Sequence, residues 1–168
     1  MPLSIRPYEE RDLEHCRALW VELTEHHRKL YGDATIGGDK PGLAFDAHIA
    51  RDDLAAFWVA ELDGRVAGMT GLLLWGREAE IEPVVVTESV RGSGIGKLLI
   101  ARALDEARTR GVRFLSLRPV ARNVDAIRLF VGEGFSKTGQ VELSMDLGGD
   151  PPYEWQQGVE LHGHSLQY

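Results

Sequence analysis

From Val84 to Ile100 the sequence reads Val84-Val85-Val86-Thr87-Glu88-Ser89-Val90-Arg91-Gly92-Ser93-Gly94-Ile95-Gly96-Lys97-Leu98-Leu99-Ile100. A β-branched apolar run passes through a glycine-rich turn into a helix with apolar periodicity. Such a strand–turn–helix aims several main-chain N–H groups at one place. The helix terminus adds its partial positive charge, so the place attracts a phosphate. Gly92, Gly94 and Gly96 let a ligand approach the backbone and allow positive φ where the turn needs it.

Three glycine-rich patterns compete for this loop. The dinucleotide fingerprint G-x-G-x-x-G places its third glycine one residue later than Gly96. The nucleoside-triphosphate loop G-x-x-x-x-G-K-[ST] finds its end in Gly96-Lys97. Arg91, however, stands where its first glycine belongs and Leu98 where its hydroxyl belongs. The pattern R-x-x-G-x-G is met by Arg91-Gly92-Ser93-Gly94-Ile95-Gly96, with Val86 five residues before Arg91. This stretch resembles the acyl-CoA pyrophosphate loop, V-x-x-x-x-R-G-x-G-x-G, of the GNAT acetyltransferase superfamily. A second stretch follows in the family's order: Asn123 to Phe135 resembles N-x-x-A-x-x-x-Y-x-x-x-G-F through Asn123, Ala126, Phe130, Gly134 and Phe135.

The resemblance runs from about Leu3 to Leu147. It implies an N-acetyltransferase that moves an acetyl group from acetyl-CoA to a primary amine of a small molecule or a protein. It assigns Arg91, Gly92, Ser93, Gly94, Ile95, Gly96 and Lys97 to the pyrophosphate, although Lys97, one turn into the helix, can equally face solvent. Main-chain groups of Val84, Val85 and Val86 are assigned to the pantetheine arm in a splayed opening between the fourth and fifth strands. An N–H there also polarises the thioester carbonyl. Asn123 matches the asparagine that contacts the carrier. Phe130 stands on the cofactor side where many members carry a tyrosine thought to protonate the leaving thiolate. It has no hydroxyl and cannot do so; core packing is a sufficient role for it.

The resemblance leaves removal of the ammonium proton to Glu80 or Glu82. On a strand these share one face, opposite Ile81. A carboxylate partly shielded by an apolar wall takes a proton directly or through water. Glu80 lies eleven residues before Arg91, the spacing of the glutamate base in the family's histone-acetylating members. Either residue can equally be a solvated strand carboxylate. Two other readings stay open. One is a catalytically weak acyl-CoA-binding or sensing module, favoured by Phe130. The other, on the glycines alone, is a nucleotide-binding protein.

The elements that must position these residues follow from periodicity and turn chemistry. Leu3–Arg6 reads as a strand, and Glu9 to about Leu30 as a helix with one face at Leu13, Cys16, Leu19, Trp20, Leu23 and His27. Tyr31–Gly42 is a long glycine-rich loop, and Leu43 to about Asp52 a short helix. Phe57–Leu62, Arg65–Trp75 and Ala79–Val86 are successive antiparallel strands, the first two joined by Asp63-Gly64. Ile95–Thr109 is a helix, Arg113–Leu117 a strand, Asn123 to about Gly132 an Asn-capped helix, and Gln140–Leu147 a final alternating strand. The order β-α-α-β-β-β-α-β-α-β predicts an α/β fold with a mixed, mostly antiparallel sheet flanked by helices.

The chain has 168 residues, 43% hydrophobic and 27% charged, which suits one soluble domain over residues 1–147. A tail, 148–168, begins at the break Gly148-Gly149-Asp150-Pro151-Pro152. A net charge of −7 disfavours nucleic acid and anionic membrane as partners. No apolar run reaches the length of a membrane span, and the first residues lack a signal peptide's apolar core. The single cysteine, Cys16, fits a reducing cytoplasm. His26-His27 and His162/His164 have no carboxylate or cysteine at ligand spacing, so no metal is expected. Asp33, Asp39, Asp46, Asp52 and Asp53, with Glu80 and Glu82, make the segments expected to border the acceptor acidic, which favours a cationic amine. The apolar alternation of Val141–Leu147, and the tail's Pro151, Pro152, Tyr153 and Trp155, point to a partner surface. GNAT-like domains commonly pair through C-terminal strands, which implies a homodimer.

Overall fold

Apolar runs between Leu3 and Val86 build the frame that carries the site. The computed structural model describes residues 3–145, 147–148 and 154–168. In it β1 (Leu3–Pro7), β2 (Leu54–Leu62), β3 (Arg65–Trp75) and β4 (Glu78–Val86) join antiparallel in that order. β5 (Phe114–Ser116) adds parallel to β4. Asp63 (φ 52°) and Gly64 (φ 77°) both take the left-handed conformation required by a two-residue hairpin turn. Between β1 and β2 run α1 (Leu13–Tyr31) and the short α2 (Ala44–Ile49). α3 (Ile95–Thr109) crosses from β4 to β5, and α4 (Val124–Gly132) follows β5. The fold is mixed α/β with a mostly antiparallel five-stranded sheet flanked by helices.

The first helix does not start at Glu9 as its acidic residues suggest. Glu10–Asp12 forms a single 3₁₀ turn, and Asp12 accepts a hydrogen bond from the Glu9 N–H at 2.9 Å. Arg6 of β1 clamps this entry, donating to both Asp12 oxygens at 2.7 and 2.8 Å and to Glu61 of β2 at 2.8 Å. Gly32 (φ 66°) ends α1 in the left-handed conformation.

Cys16 and Leu19 of α1 and Phe45 of α2 pack on Phe57, Met69 and Val85 across one sheet face. Ile100 and Ala103 of α3 and Phe130 of α4 pack on Trp58, Leu72 and Ile81 across the other. Burial pushes the Cys16 thiol up to about 12, which keeps it protonated and inert.

The expected strand Gln140–Leu147 is not formed. Its described residues enter no ladder, and Val141, Leu143, Met145 and Leu147 are exposed. Asp146 and residues 149–153, Pro151, Pro152 and Tyr153 among them, lie outside the described residues. Alternation marks an apolar face, but a strand also needs a paired edge, and β5 is only three residues long. The tail instead holds an antiparallel hairpin, β6 (Gln157–Leu161) and β7 (His164–Gln167), turning at His162 (φ 52°) and Gly163 (φ 82°). Arg122 ties the tail back. It donates to Leu30 O at 3.4 Å, to Tyr168 O at 3.1 Å and to Glu154 O, and lies 4.6 Å over the Tyr31 ring. Among the described residues no helix is long and apolar enough to cross a membrane.

Candidate active site

β4 and β5 pair only at Glu78–Phe114, Ala79–Leu115 and Glu80–Ser116. Past Glu80–Ser116 β5 ends, and among the described residues the β5-facing edge of β4 runs on without a ladder to Val86; this opening is the splay. The Thr87 N–H donates to Ala67 O at 2.9 Å. Successive residues of an antiparallel strand turn their N–H and C=O groups to alternate sides. Val85 therefore addresses β3, and Val84 and Val86 address the open edge.

A bulge sits beside this opening. The register steps from Leu72–Ile81 to Thr70–Val84, so Gly71 of β3 opposes both Glu82 and Pro83. The extra residue reverses the facing of the strand. Ala79 and Ile81 before it, and Val84 and Val86 after it, pack on the α3 side, whereas Val85 packs toward α1 and α2. Pro83 has no N–H, so Val84 is the first residue past the bulge to present one to the open edge.

The glycine loop stands at the end of the same edge. Gly92 (φ 79°) and Gly94 (φ 91°) are left-handed, and a Cβ built on either meets no atom within 4 Å. This is open space beside the loop. Gly94 caps α3 with no side-chain hydrogen bond, which leaves the first-turn N–H groups of Ile95, Gly96 and Lys97 unclaimed within the helix. Gly96 serves a different need. Its φ is not positive, and a Cβ there would lie 3.2 Å from Leu129 Cδ2, so its smallness seats α3 against α4. Arg91 folds back, donating from Nε to Val86 O at 3.0 Å, and Ser93 Oγ donates to Val90 O at 2.6 Å. Lys97 Nζ lies 3.5 Å from Glu133 of the α4 terminus.

The two carboxylates face the α1–α2 side, opposite Ile81. Glu80 is 3% exposed. Burial raises its carboxyl above the usual carboxylate range, the Arg118 guanidinium at 3.3 Å opposes that, and Glu82 reinforces it. Glu82 is half-buried, and its main-chain oxygen lies 3.0 Å from His48 Nε2. The carboxylates stand before the opening on β4, and the glycine loop stands past its end, where β4 leads into α3.

Asn123 caps α4, its Oδ1 accepting the Ala126 N–H at 3.2 Å. Phe130 is 8% exposed in the α3–α4 core. Several of the acids expected to make a bare negative wall are engaged. Asp46 is bonded to Arg17 and Asp33 to Thr35, and Arg51 pulls Asp53 down to about 2. Among the described residues no three His, Cys, Asp or Glu side chains gather as a metal site would need.

Sequence reasoning did not single out four residues that shape the site: His48, Gly71, Arg118 and Glu22. Glu22 of α1 accepts from Thr87 Oγ1 at 2.9 Å and from the Glu88 N–H at 3.0 Å, pinning the strand-to-loop junction. None carries a local motif. A glycine inside the apolar run of β3 was the one available signal, since it marks a bulge or a close backbone approach.

The profile of the acetyltransferase (GNAT) family matches residues 13–135, from α1 to the end of the Asn123 motif. Rat N-acetyltransferase 8B is 33% identical over 97 residues, 54% of this chain and 44% of that protein, so the match spans less than half the length of this relative. The crystal structure of a Trypanosoma brucei acetyltransferase, 25% identical, superposes with a TM-score of 0.64 over 87% of this chain and 100% of that one. The aminoglycoside N-acetyltransferase AAC(6')-Iy, solved in complex with CoA, is 22% identical, with a TM-score of 0.63 over 88% and 96%. With the family profile spanning most of its length and the loop, splay and bulge inside the match, the chain belongs to the acetyltransferase (GNAT) family.

Proposed function

We propose that this chain transfers an acetyl group from acetyl-CoA to a primary amine by direct attack, with a carboxylate of β4 as general base. The observation that carries the reading is the open β4 edge past Glu80–Ser116, with two carboxylates at its start and an open glycine loop at its end. The unclaimed N–H groups at the start of α3 and the empty space beside Gly92 and Gly94 suit a pyrophosphate, and acetyl-CoA when bound supplies the acyl group. Val84 N–H polarises the thioester carbonyl. Glu80, raised by burial, takes a proton from the ammonium; Glu82 is the alternative base. The amine nitrogen bonds to the carbonyl carbon, the C–S bond breaks, and the sulfur takes its proton from solvent.

The unit assigned to transfer is residues 1–147, with 148–168 as an appendage in a cytoplasmic homodimer. A cationic acceptor is favoured by Glu80 and Glu82 facing the acceptor side. Turnover of acetyl-CoA against a panel of amines tests the function, and acetylation of neutral or anionic amines alone overturns the cationic preference. The second reading, an acyl-CoA-binding module without turnover, is favoured by Phe130, whose place in the core holds no hydroxyl for the thiolate. Tight CoA binding with no turnover on any amine would select it. Phe130→Tyr raises the rate if thiolate protonation limits turnover.

A further inference from the structure

We propose that His48 is a positioning residue for acetyl transfer: through its bond to the Glu82 carbonyl it holds the β4 bulge that places the Val84 N–H at the splay. The inference rests on the transferase reading above and extends it to a residue outside the β4–α3 motif.

The argument begins with one oxygen. Glu82 O lies 3.0 Å from His48 Nε2, and a carbonyl only accepts, so Nε2 carries the proton and donates. The same oxygen is the reason for Gly71, where any Cβ would lie 2.6 Å from it and 2.8 Å from Phe57. Two residues from different elements thus accommodate a carbonyl in the bulged part of the β3–β4 pairing. Taking a donor from a part-buried carbonyl costs free energy, so the His48 bond favours the bulged geometry.

His48 is itself fixed. It is 5% exposed on α2, with its ring centroid 5.1 Å from Trp20 and 5.9 Å from Phe57. Burial pulls its imidazole below the usual range and so keeps it neutral. The bulge has a functional consequence beyond packing. It sets which β4 residues face α3, and, with Pro83 lacking an N–H, it makes Val84 the first donor on the open edge. A displacement of about 1 Å at such a donor is enough to cost ~10²-fold in rate.

The test uses full-length chain and acetyl-CoA labelled with ¹³C at the thioester carbonyl, so that no acceptor need be known. Infrared difference spectra report the carbonyl stretch on binding. Wild type is expected to lower it. His48→Gln, whose amide nitrogen reaches nearly as far as Nε2, is expected to keep most of that shift. His48→Asn, equally polar but one methylene shorter, and His48→Phe, which keeps a ring but no donor, are expected to lose it while binding acetyl-CoA with wild-type affinity. With the best amine from the panel, kcat should fall ~10²-fold in the Asn and Phe variants, with the KM for acetyl-CoA unchanged. The Gln/Asn pair keeps the comparison valid if the Phe variant fails to fold. A full downshift in folded His48→Asn overturns the proposal, as does loss of the shift in His48→Gln to the same extent. Failure of wild type to bind acetyl-CoA overturns the transferase reading and this proposal together.

Discussion

The carboxylate of Glu80 lies 3.3 Å from the guanidinium of Arg118, the acid side chain 5% exposed and the base 69%. The buried acid is held above its ordinary range by burial, and its cation sits in solvent where it opposes the shift only in part. A base must be unprotonated to act. The rate is therefore expected to fall as pH drops through the raised Glu80 value, not through the ordinary carboxylate range. Arg118→Ala removes the opposing charge and should move this acid limb to higher pH. Glu80→Gln should lower kcat by ~10²–10⁴ with CoA affinity unchanged and abolish the limb, the loss shrinking at high pH where the amine is already neutral. Glu82→Gln should do less. A crippled Glu82→Gln beside an unaffected Glu80→Gln would move the base two residues along β4.

The same shift has a stability side. A carboxyl whose folded pKa is raised costs stability progressively as pH rises from its unfolded-state value to the raised folded one, and the cost is constant above that. Glu80→Gln is thus expected to melt higher than wild type above the raised folded value and to converge with it only below the unfolded-state carboxyl value. Calorimetry across pH checks the direction.

Gly94→Val should abolish CoA binding in a protein that still folds. Gly94 adopts φ 91° with open space around its missing Cβ, so a valine fills the cradle and strains the backbone by about 1–3 kcal/mol. Titration calorimetry giving wild-type CoA affinity would remove this loop from the site.

Arg6 and Asp12 form a two-bond pair whose acid side chain is 4% exposed. Arg6→Met leaves that carboxylate without its cation and is expected to cost about 3–5 kcal/mol at neutral pH. The Arg6 guanidinium, with the Glu9 N–H, holds Asp12 below its ordinary value. The stabilisation is therefore present above the unfolded-state pKa and lost as pH falls through the depressed folded one. The gap between mutant and wild-type denaturation curves should narrow in acid.

Val141, Leu143 and Met145 alternate and are 48%, 72% and 81% exposed, outside both sheets. If this segment is the homodimer interface, light scattering at micromolar concentration gives the dimer mass for wild type and the monomer mass for Leu143→Glu. A monomer mass for wild type contradicts the assembly.

Much of the frame was legible because its causes are local. Asp63-Gly64 announces a hairpin through the φ values it tolerates, α3 shows its apolar period, and Asn123 caps the helix it precedes. The glycine loop was legible for the same reason, although Gly96 proves to be a packing glycine and not a turn glycine. Alternation from Val141 to Leu147 misled because it reports a face and says nothing of a partner edge. The hairpin at His162-Gly163 was missed though its X-Gly turn was visible.

By itself the sequence determined the order of the elements from β1 to α4, the strand–glycine loop–helix and the two acids upstream of it, since periodicity, capping and turn chemistry act between near neighbours. Only the tertiary structure decided that Glu80 is buried with Arg118 as its cation, that a bulge opposite Gly71 reverses the face of β4, and that His48, 34 residues from Glu82 in sequence, bonds to a carbonyl of that bulge. Burial, register and the meeting of His48 with the Glu82 carbonyl are properties of segments brought together from distant parts of the chain.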